Sequence, residues 1–289
     1  MGSKIFIGED VGNEGDLGTA ANWSPTGLPE SDDVAWFTED SANVTDGFDD
    51  LAAITLAELH FMAGWTGRCE SDYIQIGATK VWIGEHWGTG EPGGSPRLKL
   101  YITGATTVEV LRTSTASDDD FEMPARFKIN HADAVLVVRK GMVGVCVGDP
   151  TETGELSEIR VGFDESVESD AEVAVGAGVT LATLTKTGGK CLLNCAATTV
   201  THHAGELRTE GAGAITALTT RGGLIIPNSS GTIATLTQHG GVVDLLRSNV
   251  ARAITTLARQ GGTFKYDPAV VTVGTITETG RMAIQAGGV

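Results

Sequence analysis

Ile215-Thr216-Ala217-Leu218-Thr219-Thr220-Arg221-Gly222-Gly223 is followed, 18 residues on, by Ile233-Ala234-Thr235-Leu236-Thr237-Gln238-His239-Gly240-Gly241. The two stretches superpose position by position. Related copies lie at Leu181 to Gly189 and Ile254 to Gly262, with weaker ones around Val200 to Gly205 and Ile276 to Gly280. Their central aliphatic residues are Leu184, Val200, Leu218, Leu236, Leu257 and Ile276, so the steps run 16, 18, 18, 21 and 19. A helical repeat needs about 33 residues and strong helix formers, whereas these units are short and rich in Thr, Val, Ile and Gly. Each unit therefore reads as a short strand, a glycine corner, a second apolar strand such as Leu224-Ile225-Ile226, and a polar turn. Glycine at the corner supplies positive φ without a steric cost, so the chain bends the same way on every turn. The expected fold is all-β: a parallel β-solenoid whose aliphatic ladder points inward while Thr residues point outward in stacked rows. The spacing leaves its handedness open.

Upstream of this array the chain stays β in character but loses its period. Leu98, Leu100 and Ile102 alternate, as do Val108 and Val110, Phe127 and Ile129, Val135 and Val137, Val143, Val145 and Val147, and Ile159, Val161 and Phe163. These segments are expected to form wider coils of the same solenoid, with a sandwich-like insertion as the alternative. Charge separates the two regions. Residues 1–178 carry 32 acidic and 11 basic side chains, a formal −21, and residues 179–289 carry 5 and 9, a formal +4. Aromatic residues follow the same split, only Phe264 and Tyr266 lying beyond residue 178. The chain thus divides into a cap over 1–55, irregular acidic coils over 56–178, and a regular solenoid with Gly-Gly corners over 179–289.

Near the N-terminus, Asn22-Trp23-Ser24-Pro25-Thr26-Gly27-Leu28-Pro29-Glu30-Ser31-Asp32-Asp33-Val34 resembles the N-W-S-P-x-G-x-P opening that precedes β-helical regions in bacterial surface proteins and phage virion proteins. The resemblance covers 13 residues and implies a cap followed by a β-helix starting at Leu56 to Phe61 and Tyr73 to Gly77. A cap makes physical sense, because a solenoid leaves an unpaired strand edge that invites pairing with other chains. Trp23, Trp36, Phe37 and Trp65 are accordingly expected to pack in the core or cap and not to stack on a ligand.

The net charge of −17 argues against a nucleic-acid partner, since that affinity rests on Lys and Arg releasing counterions. No apolar run approaches the roughly 20 residues of a membrane span. The opening Met1 to Asp10 lacks the apolar core of a secretory leader, and Phe6 stands where myristoylation wants Ser or Thr. Cys69, Cys146, Cys191 and Cys195 are too sparse for a disulfide scaffold and show no C-x-x-C spacing, so they are expected as buried thiols.

Candidate chemistry is thin. Asp118-Asp119-Asp120 lacks the alternating ligands of a calcium loop and reads as a solvated acidic turn. Glu85-His86-Trp87 joins an acid, a base and a ring, without a second carboxylate to support hydrolysis. His202 and His203, adjacent on a strand, face opposite sides and cannot chelate together. No catalytic residue, metal site or cofactor is assigned, and binding residues stay unassigned.

The resemblance and the repeats together lead us to expect a non-enzymatic structural virion protein: a capsid decoration or head-spike subunit of a tailed phage, made in the host cytoplasm. Its partners would be its own copies, with a trimer favoured, and a major capsid or other virion protein. The near-neutral coils of 179–289 would dock while the acidic part keeps particles apart. The alternatives are a tailspike or adhesin that binds surface polysaccharide, and a β-helical polysaccharide lyase or hydrolase.

Overall fold

A computed structural model describes residues 2–62, 65, 69, 72–86, 98–113, 123–162, 170–248, 250–279 and 283–286. Among them are 24 strands and a single 3-10 turn, Ala20–Asn22. No helix among the described residues is long and apolar enough to cross a membrane. The strands stack as coils of a parallel β-solenoid, and each regular coil gives one strand to a first sheet and the next to a second. In the repeat region Val179–Lys186, Ala196–His202, Ile215–Thr220, Ile233–Gln238, Arg252–Arg259 and Val271–Glu278 pair in turn to build the first sheet. Lys190–Leu193, Glu206–Thr209, Leu224–Pro227, Val242–Asp244, Thr263–Tyr266 and Ala283–Ala286 build the second.

The expected aliphatic ladder is the register. Leu184 pairs with Val200, then Leu218, Leu236, Leu257 and Ile276 follow. The first five are buried, and Ile276, in the last of these first-sheet strands, is 44% exposed. Alternation slips once per coil: Ala182 and Thr183, or Thr198 and Thr199, both face outward between buried neighbours, and Ala182 and Thr198 have no register partner. Such a slip bends the strand and turns the coil without a loop.

Glycines make the next corner. Gly189, Gly205, Gly223, Gly241 and Gly262 all have φ between 64° and 82°. A methyl group on Gly241 would sit 2.6 Å from the Gly222 carbonyl carbon and the Gly223 oxygen of the preceding coil. The corners stack too closely for any side chain.

The same stack continues upstream. Val179–Lys186 pairs with Gly154–Val161, which pairs with Val135–Val138, then Thr107–Thr113, Ile74–His86, Thr55–Phe61, Val34–Phe37 and Ser3–Phe6. The irregular region is thus solenoid and not a sandwich-like insertion. One core cluster runs from Phe6 to Val271, so the composition shift near residue 178 marks a change of surface and leaves the core unbroken. One alternation read from sequence is reversed: Leu136 and Val138 face inward, in register with Val108 and Val110, while Val135 and Val137 take the outer positions. All four residues are apolar, so only the register with neighbouring coils distinguishes the faces.

The N-W-S-P stretch closes the first coil. Trp23–Ser24 pairs antiparallel with Ser3–Phe6, which itself pairs parallel with Val34–Phe37. Asn22, fully buried, donates to the carbonyls of Asn13 and Asp16 and accepts from the Asp10 amide, tying down the loop over the end of the stack. The Trp23 indole donates to the Leu17 carbonyl at 3.0 Å and meets the Phe6 ring edge-on at 5.2 Å. The Ser24–Pro25 peptide is cis. Asp33 accepts from the Gly2 and Glu30 amides, which hold its carboxyl below the usual range.

Candidate functional site

Among the described residues, several arrangements hold chemistry beyond the apolar core, and three are developed by the fold's own register. The first is internal. Two residues after each central aliphatic, the inward position is apolar from Phe6 through Phe37, Phe61, Ile83, Val110 and Val138 to Val161. It then turns polar in one step: Lys186, His202, Thr220, Gln238, Arg259 and Glu278 follow in register. The first five are at most 1% exposed. Their partners are the glycine corners. The Lys186 ammonium donates to the carbonyls of Gly189 and Ala204 at 2.6 and 2.7 Å, and the Thr220 hydroxyl to Gly222. The Gln238 amide donates to Gly241 and Thr263, while Arg259 donates to Gln238 Oε1, Glu278 Oε1 and the Gly262 carbonyl. The column thus ties its side chains to the corners, and the Gly189 and Gly241 carbonyls accept a backbone amide of the next coil as well, from Glu206 and Thr263. His202 is the exception, with neither ring nitrogen partnered; burial and the Lys186 charge hold its pKa down at about 3.

The second arrangement is the outer face of the first sheet, which changes character along the stack. At its N-terminal end Trp36, His60 and Trp82 occupy one register column as partly buried rings. Trp36 and His60 stack at 4.0 Å and 17°, His60 and Trp82 at 6.3 Å and 13°, and the Lys80 ammonium lies 3.6 Å from the Trp82 ring centroid. Trp36 is therefore an outer-face residue, whereas Trp23, Phe37 and Trp65 are buried as the sequence implied. Next come ion pairs, Glu109 with Lys80 and Arg139, then Glu158 with Arg160 at 2.6 Å. From residue 183 on, the same two columns are Thr or Ala in every coil.

The third is a cleft of about 420 Å³ on the second sheet, lined by Asp46, Asp49, Asp72, Tyr73, Tyr101 and Lys128 among others. Gln75, Tyr101 and Lys128 stand in register there, with the Lys128 ammonium 4.7 Å from the Tyr101 ring centroid. The Tyr73 hydroxyl donates to Glu152 at 2.8 Å, and burial, with that carboxylate second, raises its pKa well above the usual phenol value.

Of the residues singled out in sequence, Asp118, Asp119 and Asp120 lie outside the described residues. Glu85 and His86 end a first-sheet strand opposite Arg112 and Thr113; their side chains and Trp87 lie outside the described residues. His202 is buried and His203 half-buried on the opposite side, as strand geometry requires. All four cysteines are buried and free, with burial pushing Cys69, Cys191 and Cys195 up to about 12. Among the described residues no group of three or more His, Cys, Asp or Glu is placed to hold a metal ion. Sequence reasoning missed the internal polar column, although its signal is present: one polar residue directly precedes each corner tripeptide in Lys186-Thr187-Gly188-Gly189, Thr220-Arg221-Gly222-Gly223, Gln238-His239-Gly240-Gly241 and Arg259-Gln260-Gly261-Gly262. The cleft was missed as well, because its residues come from segments up to about 80 positions apart in the chain.

Comparison of the chain with protein-family models, with curated proteins and with solved structures found no match.

Proposed function

We propose that this chain is a non-enzymatic structural protein of the capsid-decoration or head-spike kind carried by tailed-phage virions, acting as a stiff rod whose faces engage its own copies and a capsid protein. The observation that carries this reading is the continuous core running from Phe6 in the capped first coil to Val271, with neighbouring coils in register. Every coil is held by the one before it, so the rod resists bending and presents its outer columns at fixed spacing. The N-W-S-P resemblance supports the virion setting. Sedimentation of the full chain tests the assembly: a closed oligomer, a trimer in the favoured form, is expected at micromolar concentration. A monomer that depolymerises polysaccharide would overturn it.

The second-sheet cleft favours one alternative, an adhesin for surface glycans. Tyrosine rings and carboxylates in one concavity suit sugar hydroxyls and ring faces, and three aspartates would disfavour uronic-acid or phosphate-bearing polymers. Glycan-array binding that Tyr101→Ala abolishes would support this alternative over the structural one.

A further inference from the structure

On six successive coils the outer face of the first sheet holds two parallel threonine columns. Thr183, Thr199, Ala217, Thr235, Thr256 and Thr275 form one, and Thr185, Thr201, Thr219, Thr237, Ala258 and Thr277 the other. Within each coil the two flank the central aliphatic, giving Thr-Leu-Thr, Thr-Val-Thr, Thr-Ile-Thr or a one-alanine variant. The adjoining bend column, Ala182, Thr198, Thr216, Ala234, Thr255 and Gly274, is equally small and uncharged. A chain of net charge −17 thus leaves three neighbouring columns over six coils without one ionisable side chain. The first ionisable residues upstream in the two threonine columns are the Glu158–Arg160 pair.

We propose that this face binds an ordered water lattice, the surface of an ice crystal. Parallel pairing sets the rungs about 4.8 Å apart, and residues i and i+2 of one strand stand about 6.6 Å apart. Those two repeats lie close to the oxygen repeats of the prism face of hexagonal ice, in both directions at once. Apart from Thr185, whose hydroxyl donates to Glu158 at 3.2 Å, each threonine offers a hydroxyl that can donate and accept, beside a methyl group that orders water around it without binding it. Its β-branched side chain is stiff at χ1, so the array is ordered before it meets its ligand. Two further features separate this ligand from a protein partner. The two threonine columns cover roughly 25 by 10 Å, about 250 Å², against the ~800 Å² that each partner of a stable protein interface buries. Charge is confined to its borders, the Glu158–Arg160 pair at one end and exposed Arg221 along one edge, and the strip holds none of the aromatic anchors by which protein interfaces are held. A neutral, repeating surface is the complement of a neutral, repeating ligand. This inference stands apart from the virion proposal, since neither requires the other.

The test uses the full chain in a nanolitre osmometer, reading thermal hysteresis and ice-crystal shape, with sedimentation in parallel. The wild-type protein is expected to facet growing crystals and open a measurable hysteresis gap. Thr219→Lys and Thr237→Lys, at outward positions in mid-array, should each reduce that gap several-fold with unchanged circular dichroism and melting temperature. Thr219→Val should keep most of it, and Arg208→Ala, on the second sheet, should change nothing. Round, unfaceted crystals with wild-type protein would overturn the proposal, as would full activity in both lysine variants. So would a lysine variant that dissociates an oligomer while leaving ice growth untouched, which would assign the face to a second copy of the chain.

Discussion

His202 lies between Lys186 and Thr220 in the internal polar column, with both ring nitrogens buried and unpartnered. Burial first, and the Lys186 ammonium second, lower its pKa from 6.5 to about 3. Burial likewise brings Lys186 down to about 8, so near neutral pH a buried cation sits beside a neutral imidazole. The sign of the linkage follows. The unfolded chain takes up a proton on this imidazole as pH falls through 6.5 and the folded chain does not until about 3, so stability is lost as pH falls through that interval. Between pH 7 and 5, above the range in which carboxylates titrate, His202 should account for a distinct share of the loss. His202→Gln, which places at this position the chemistry of Gln238, two coils further along the column, should flatten the dependence of the urea midpoint on pH in that window. Equal slopes in wild type and variant would refute the assignment.

At the scale of the coil, the corner decides the fold. Gly241 has φ of +73° and three backbone atoms of the preceding corner within 2.7 Å of where a Cβ would lie, whereas Gly12, at φ +93°, has open space there. Both positions strain an L side chain by about 1 kcal/mol. Only the first also forces stacked corners apart. Gly12→Ala should therefore destabilise by about 1 kcal/mol and Gly241→Ala by about 3 kcal/mol or more in urea unfolding. Similar losses for the two would mean that conformational freedom alone, and not coil stacking, explains the Gly-Gly pairs.

For the whole molecule the question is how the stack ends. Phe6, Trp23, Phe37, Phe61 and Trp65 pack with ring centroids 4.7 to 6.1 Å apart, sealing the N-terminal coil under a loop pinned by Asn22. Removing residues 1–33 would take away Ser3–Phe6 and Trp23, uncovering the edge of Val34–Phe37 and the Phe37 ring. An open parallel edge templates further strands. The truncated chain should pass from discrete species to concentration-dependent aggregates in light scattering; a soluble, discrete product would show that the cap is dispensable.

The amino-acid sequence by itself determined the coil: a period near 18 residues, Thr and aliphatic alternation, and at each corner a glycine whose positive φ disfavours any L side chain. These are local properties, legible wherever the chain repeats, and the ladder from Leu184 to Ile276 follows from spacing alone. Where the repeat drifts, only the tertiary structure decided. Val135 and Val137 look as inward as Leu136 and Val138 until the neighbouring coils set the register. Trp36 reads as core until it is found stacked on His60 at the surface. The buried column from Lys186 to Arg259 is a set of single polar residues, one per coil, whose shared role exists only once the coils lie one upon another. Likewise the threonine pairs are ordinary strand residues in each repeat. They become a two-dimensional lattice only through parallel pairing, because the spacing between coils is set by backbone hydrogen bonds and is written in no single segment.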